Sequence, residues 1–167
     1  IHAAALNFSD LLMIDDKYQV KPTRPFIPGQ EVAGIVLESG KSSGFKPGDR
    51  VTSKVDWGGF AEIANVRSDM AIKIPDELDF GTAAVLPVVY TTSMIALHHS
   101  STVKPSDIVV VHGASGGVGL STVEVAKAAG ARFVVFSKVT AADEIYTVKL
   151  LLFDAALSSR VTTVTKE

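Results

Sequence analysis

The sequence predicts two architectures in one chain, a small all-β unit followed by an α/β unit. Three observations predict it. Before residue 79, short runs rich in Val and Ile alternate with Gly and Pro turns, at the roughly 8–12-residue spacing of a small sandwich or partly open barrel. From Gly81 to His98 the pattern turns apolar and helical. Then Val109-Val110-Val111-His112-Gly113-Ala114-Ser115-Gly116-Gly117-Val118-Gly119 runs from a β-branched stretch into a glycine cluster, and a helical pattern follows to Gly130.

Composition bounds the function. The 167 residues are 47% hydrophobic and 20% charged, which supports a packed core and argues against disorder. A net charge of −2 without a basic run argues against nucleic-acid binding. The absence of cysteine excludes disulfides, iron–sulfur clusters and thiolate zinc sites. No apolar run reaches the ~18 residues of a membrane span. A cytoplasmic location without membrane attachment is expected. The chain opens on Ile1 rather than Met, and a fragment or processed form is expected.

Each element has a local reason. Residues 1–30 read as loop-rich, with Asn7-Phe8-Ser9-Asp10 capping a short helix over Leu11–Asp15 through side chains that accept from free backbone N–H groups. Pro22, Pro25 and Pro28 forbid a helix after it. Strands are expected over Val32–Glu38, Val51–Val55, Phe60–Val66 and Ala71–Ile74, with Lys46-Pro47-Gly48-Asp49 as a turn. The helical pattern over Gly81–His98 should kink at Pro87. A strand over Ile108–His112, a helix over Gly117–Ala129 and a strand over Phe133–Ser137 should form a right-handed crossover and a parallel pair. Ala141–Phe153 reads as a second helix and Ala155–Ser158 as a third strand. Domains are expected over residues 1–80 and 81–167.

The glycine cluster carries chemistry. Ala114, Gly116 and Gly119 take the three places of G-x-G-x-x-G. A pyrophosphate needs bare backbone, which a Cβ at Gly116 would obstruct, and free N–H groups at the positive end of a helix dipole. Gly119 lets the helix pack closely on the strand. Strand before and helix after favour a dinucleotide site over a plain turn. NAD sites place Asp or Glu about 20 residues beyond the glycines. Here Phe136-Ser137-Lys138 stands there. A hydroxyl and an ammonium suit a 2′-phosphate, so NADPH is expected, the alternative being that Lys138 is an ordinary solvated lysine.

Several further segments together resemble the quinone oxidoreductase branch of the medium-chain dehydrogenase/reductase superfamily. They are Leu6-Asn7-Phe8-Ser9-Asp10 with Tyr18, Pro28-Gly29-Gln30-Glu31-Val32-Ala33-Gly34, Lys46 to Val51, Gly58-Gly59-Phe60-Ala61-Glu62, Leu86-Pro87 with Thr92, and the Gly113–Gly119 cluster. The resemblance implies a GroES-like catalytic domain whose first strands are missing, followed by an incomplete Rossmann domain, with the site in a cleft between them. It implies hydride transfer from NADPH to a quinone or activated enone. Residues implied for the cofactor are Thr92, Ala114, Ser115, Gly116, Gly117, Val118, Gly119, Ser137 and Lys138. Zinc-dependent relatives place cysteine and histidine where Asn7 and Gln30 stand, so no metal is expected. Without zinc, charge developing on a substrate oxygen needs hydrogen-bond donors, and Asn7 and Tyr18 match those positions. Tyr18 is alternatively a packed loop aromatic, and Asp10 and Glu31 are expected to orient neighbours rather than move protons.

Two departures from the family are expected: its first β-strands, before Ile1, are missing, and at the other end the second half of the Rossmann sheet is missing. Lys149 to Ala156 only weakly follows the family's K-x-L-G-A-D segment, with Leu152 and Phe153 where glycine and alanine are usual. An open sheet edge is expected, and with it aggregation, a homodimer through that edge, or loss of tight cofactor binding. An enoyl-thioester reductase, with Tyr18 protonating the α-carbon, and a catalytically incompetent nucleotide-binding or structural protein are the alternatives.

Overall fold

The computed structural model describes the backbone of residues 1–142, 145–154 and 159–166 and the side chains of residues 1–132. The chain forms two compact units, Ile1–Val88 and Val89–Glu167.

The first unit is built on an antiparallel sheet of β1 (Ala3–Ala5), β2 (Glu31–Ile35), β3 (Arg50–Lys54) and β4 (Ala71–Lys73), in that order. Ala3 pairs with Ala33, Val32 with Ser53 and Thr52 with Ile72. Strand β2 is buried from Glu31 through Gly34. Helix α1 (Phe8–Ile14) and helix α2 (Phe80–Ala84) complete the unit. Ala83 and Ala84 pack on Ala33 and Ile74, and small side chains permit that close approach. The Thr52 hydroxyl lies 2.7 Å from the Ala83 carbonyl and 3.1 Å from that of Val32, tying α2 to the sheet.

Two glycines lock a loop onto this sheet. Gly29 has φ +102°, and a Cβ there would stand 2.6 Å from the Phe60 nitrogen. Gly59 N–H donates to Gly29 O and Phe60 N–H to Pro28 O. This explains one correction: the strand expected over Phe60–Val66 does not form, because Gly58, Gly59 and Phe60 spend their N–H groups on Ile27, Gly29 and Pro28 instead of a ladder. Strand β1 is an addition to the loop-rich reading of residues 1–30.

The helical stretch continues beyond α2. A π-helical turn over Leu86–Tyr90 surrounds Pro87, α3 covers Thr91–Met94, and a second wide turn covers Ile95–His99. Where a kink is expected at Pro87 the structure has this widened turn, in keeping with a ring that clashes with the preceding turn and offers no N–H.

In the second unit, β5 (Ile108–His112) pairs in parallel with β6 (Phe133–Ala142) across helix α4 (Gly117–Ala128). Val125 and Ala126 of α4 pack with Leu97, Val111, Ala114 and Ala131. The expected βαβ unit is present.

The chain then departs from expectation. Instead of a helix over Ala141–Phe153, β6 runs on to Ala142, and β7 (Ile145–Asp154) pairs antiparallel with β6 and with β8 (Ser159–Lys166). Ile145-Tyr146-Thr147-Val148 is β-branched and aromatic, a composition that favours a pleated surface over a helix. The strand expected over Ala155–Ser158 lies outside the described residues.

Candidate functional site

Helix α1 begins the first cluster. Asn7 is extended at φ −114°, ψ 156° ahead of the first turn, and its backbone N–H donates to Asp10 Oδ2 at 2.8 Å. Asp10 therefore caps α1 from its third residue, while its Oδ1 accepts the Gly29 N–H at 3.1 Å. The Asn7 side chain is left to act elsewhere: its Nδ2 donates to Glu31 Oε1 at 2.8 Å. Glu31 Oε2 accepts the Val88 backbone N–H at 2.9 Å. Ser9 Oγ donates to Gln30 Oε1.

Asp10 and Glu31 are 0% and 1% exposed, and no Lys, Arg or His among the described residues forms an ion pair with either. Neutral N–H donors satisfy both. Burial pushes the Glu31 carboxyl above its ordinary 4.5, the Asn7 amide and the Val88 N–H hold it down, and the charge of Asp10 adds a further push upward. A carboxylate that accepts two N–H groups orients both, and an amide carries two N–H donors, so Asn7 keeps one for another acceptor.

Tyr18 follows α1, half-buried, its backbone N–H on Leu12 O at 3.1 Å. Its hydroxyl has no hydrogen bond to a described residue. A cavity of about 470 Å³ in this unit lies among Val36, Phe45 and Val66 and includes neither Asn7 nor Tyr18. No group of three or more His, Asp or Glu suited to a metal ion occurs among the described residues, and no helix there is long and apolar enough to cross a membrane.

The second cluster is the glycine turn. Gly113 adopts φ +65°, Gly116 N–H donates to Gly113 O at 3.0 Å, and Leu120 N–H to Gly116 O at 2.9 Å. Ala114 and Gly119 are buried, while Ser115, Gly116, Gly117 and Val118 face solvent. The turn is thus anchored at two points and open between them. A Cβ at Gly119 would overlap Gly113 O and stand 2.6 Å from the Ala114 Cα, whereas one at Gly116 would meet only Gly113 O, at 3.5 Å. The fold itself demands glycine at 119 and not at 116. First-turn N–H groups of α4 have no intrahelical partner and carry the positive end of its dipole.

Thr92 is exposed on α3. Ser137 stands opposite His112 in the parallel pair. Because β6 continues to Ala142, Ser137 and Lys138 lie within the strand and not at its end; their side chains lie outside the described residues. Sequence reasoning passes over Val88 as the second donor to Glu31, since a backbone group leaves no compositional signal. It also passes over Ser93 and Ser121, buried between α3 and α4.

Residues 1–76 match the alcohol dehydrogenase GroES-like domain family. A quinone oxidoreductase from Sus scrofa is 42% identical over 132 residues, 78% of this chain and 40% of its own. The quinone oxidoreductase from Thermus thermophilus, solved also in complex with NADPH, superposes with TM-score 0.67 at 35% identity, over 78% of this chain and 40% of that one. The CurK enoyl reductase superposes with TM-score 0.69 at 26% identity, over 84% and 44%. The chain spans about 40% of the length of the curated relatives it matches.

Proposed function

The chain belongs to the quinone oxidoreductase branch of the medium-chain dehydrogenase/reductase superfamily, and from that membership we propose an NADPH-dependent oxidoreductase that reduces a quinone or activated enone without zinc. Residues 1–80 serve as the GroES-like catalytic domain and 81–167 as the first part of the cofactor domain. The observation that carries the reading is the Gly113–Gly119 turn. It is glycine at 116, where the fold has room for a side chain, and that room suits a pyrophosphate against the α4 N-terminus. Solved quinone oxidoreductases from Thermus thermophilus and Escherichia coli are complexes with NADPH, which supports the same cofactor here.

When bound, the cofactor supplies a hydride. The chain's residues do the rest. Gly117, Val118 and Gly119 present backbone N–H groups to the phosphates; Gly116, its own N–H held by Gly113 O, leaves them room, and Ala114 and Ser115 shape the approach. Ser137 and Lys138 receive the 2′-phosphate, and Thr92 contacts the nicotinamide end. Asn7, its amide held by Glu31, offers its remaining N–H to the substrate oxygen as negative charge develops there. Tyr18 is the second donor. Asn7 and Gln30 occupy the places of the zinc ligands in metal-dependent relatives, and an amide is a poor substitute for thiolate or imidazole. A cytoplasmic location and self-association through a sheet edge belong to the same proposal.

A second reading keeps the fold and changes the substrate. The likeness to the CurK enoyl reductase and a Tyr18 hydroxyl without a hydrogen bond among the described residues favour an enoyl thioester protonated at the α-carbon by Tyr18. NADPH oxidation measured with a benzoquinone and with a crotonyl thioester separates the two. Calorimetry at low salt tests both: absence of NADPH-dependent heat at millimolar cofactor leaves a chain without the enzyme's cofactor function.

A further inference from the structure

Helices α3 and α4 meet through an unusual reciprocal contact. Ser93 Oγ, 0% exposed, lies 3.0 Å from the Val89 carbonyl on its own side and 3.2 Å from the Val118 carbonyl across the interface. Ser121 Oγ, 2% exposed, lies 3.0 Å from Val118 O on its own helix and 3.0 Å from Val89 O across it. The two hydroxyls are 2.7 Å apart. Each serine can therefore donate to a carbonyl on its own side or across the seam, Val89 O in the turn before α3 or Val118 O in α4, and the pair exchanges partners. Thr122 Oγ1, 2.9 Å from Ser93 Oγ, donates to Val118 O at 2.6 Å and closes the cluster.

The contact stands where two segments of the cofactor site converge. Ser93 follows Thr92 directly, and Val118 lies inside the phosphate turn. A second observation fixes the same spacing: a Cβ at Gly117 would stand 3.2 Å from Val89 Cγ1, so the start of α4 already touches the turn that precedes α3. A buried hydroxyl that loses its acceptor is penalised, so the seam resists sliding. Apolar packing alone tolerates small shifts more readily.

We propose that Ser93 and Ser121 are positioning residues for the dinucleotide, holding Thr92 at a set distance from the Gly116–Gly117 phosphate site. The inference rests on the cofactor reading above. A ligand that spans both ends feels that distance, and one that occupies the phosphate end alone does not. Neither serine contacts the ligand.

The test is calorimetry on the full chain with NADPH and with 2′,5′-ADP. Ser93→Ala and Ser121→Ala should each weaken NADPH by roughly tenfold or more, as a misplacement on the ångström scale does, and change 2′,5′-ADP by less than about twofold. The double variant should weaken NADPH no further than either single one, since both remove one exchange. Ser93→Thr, which keeps a hydroxyl, should restore NADPH binding. Equal weakening of both ligands, additive losses, or no change would overturn the proposal. So would loss of the fold in both alanine variants, which marks the pair as structural only. A wild-type chain that binds 2′,5′-ADP but not NADPH overturns this inference and leaves the phosphate site standing; one that binds neither overturns the cofactor reading itself.

Discussion

The side-chain amide of Asn7 donates to Glu31 Oε1 at 2.8 Å, and the other oxygen of the same carboxylate accepts the Val88 N–H at 2.9 Å. One buried acid thereby orients a candidate catalytic amide and a backbone group 57 residues further along the chain from itself. Removing the amide leaves Glu31 half-satisfied. Asn7→Ala should lower stability by about 1–3 kcal/mol, the penalty for an unpaired buried acceptor. In the active enzyme it should also reduce kcat by roughly 10²–10³, as removal of an oxyanion donor does. Urea unfolding followed at Trp57, the single tryptophan, and steady-state NADPH oxidation read the two effects. Retained kcat removes Asn7 from the chemistry.

The glycine turn separates folding from binding. Gly116 sits at φ −84°, ψ 167°, backbone that any residue adopts, with room for a Cβ. Gly116→Ala should change stability by less than about 0.5 kcal/mol and still weaken NADPH. Gly119→Ala forces a methyl into Gly113 O and should cost at least the ~1–3 kcal/mol of an overpacked core. Circular dichroism melts beside calorimetry decide it; intact NADPH affinity in Gly116→Ala would remove the pyrophosphate from that turn.

Stability should depend on pH in two separate windows. Glu31 is raised above 4.5 by burial, with opposing hydrogen bonds from Asn7 and Val88. Below 4.5 it is protonated in both folded and unfolded chains and carries no penalty. As pH rises through its raised folded value, the native state bears the burden of a buried charge, and stability falls. Asp49 and Asp79 are lowered below 3.8, the first mainly by Lys73 and the second by Thr82. Their contribution is present above 3.8 and disappears as pH falls through the lowered values. Urea midpoints at Trp57 from pH 3 to 8 should therefore pass through a maximum near the boundary of the two windows, on the order of pH 4–5. Glu31→Gln should flatten the alkaline side; an unchanged slope there assigns it to another group.

Lys138→Glu should weaken NADPH by roughly tenfold or more, about 1.4 kcal/mol, and leave NADH nearly untouched. Equal losses for both cofactors would return Lys138 to the status of a solvated lysine.

The sequence discloses what local chemistry decides. Asp10 is legible as a cap, Pro87 as a disturbance in a helix, and Gly113 to Gly119 as a turn between a strand and a helix. It does not disclose what partners decide. Phe60–Val66 has strand composition, yet Gly58, Gly59 and Phe60 are claimed by the Gly29 loop. Lys149–Phe153 has helical residues, yet β6 offers a ladder along its full length and Ile145–Val148 is suited to it. In the site, Asn7 is legible and its anchor only partly so. Glu31 is expected to orient neighbours, but that its second oxygen reaches Val88 depends on the fold alone. Ser93 and Ser121 look like ordinary small polar residues of two helices until the helices are brought together.

The neutral cage around Asp10 and Glu31 has a consequence for ionic strength. Mobile ions screen exposed charges, such as the Lys17–Asp15 pair, over a Debye length of about 8 Å at physiological salt. They have little to act on where a buried carboxylate is held by amide and backbone N–H groups. The Asn7 site should keep its arrangement from dilute buffer to concentrated salt, while attraction of a phosphorylated ligand to Lys138 fades over the same range. Raising salt should therefore weaken the proposed capture of cofactor at Lys138 and leave the Asn7–Glu31 hydrogen bond in place.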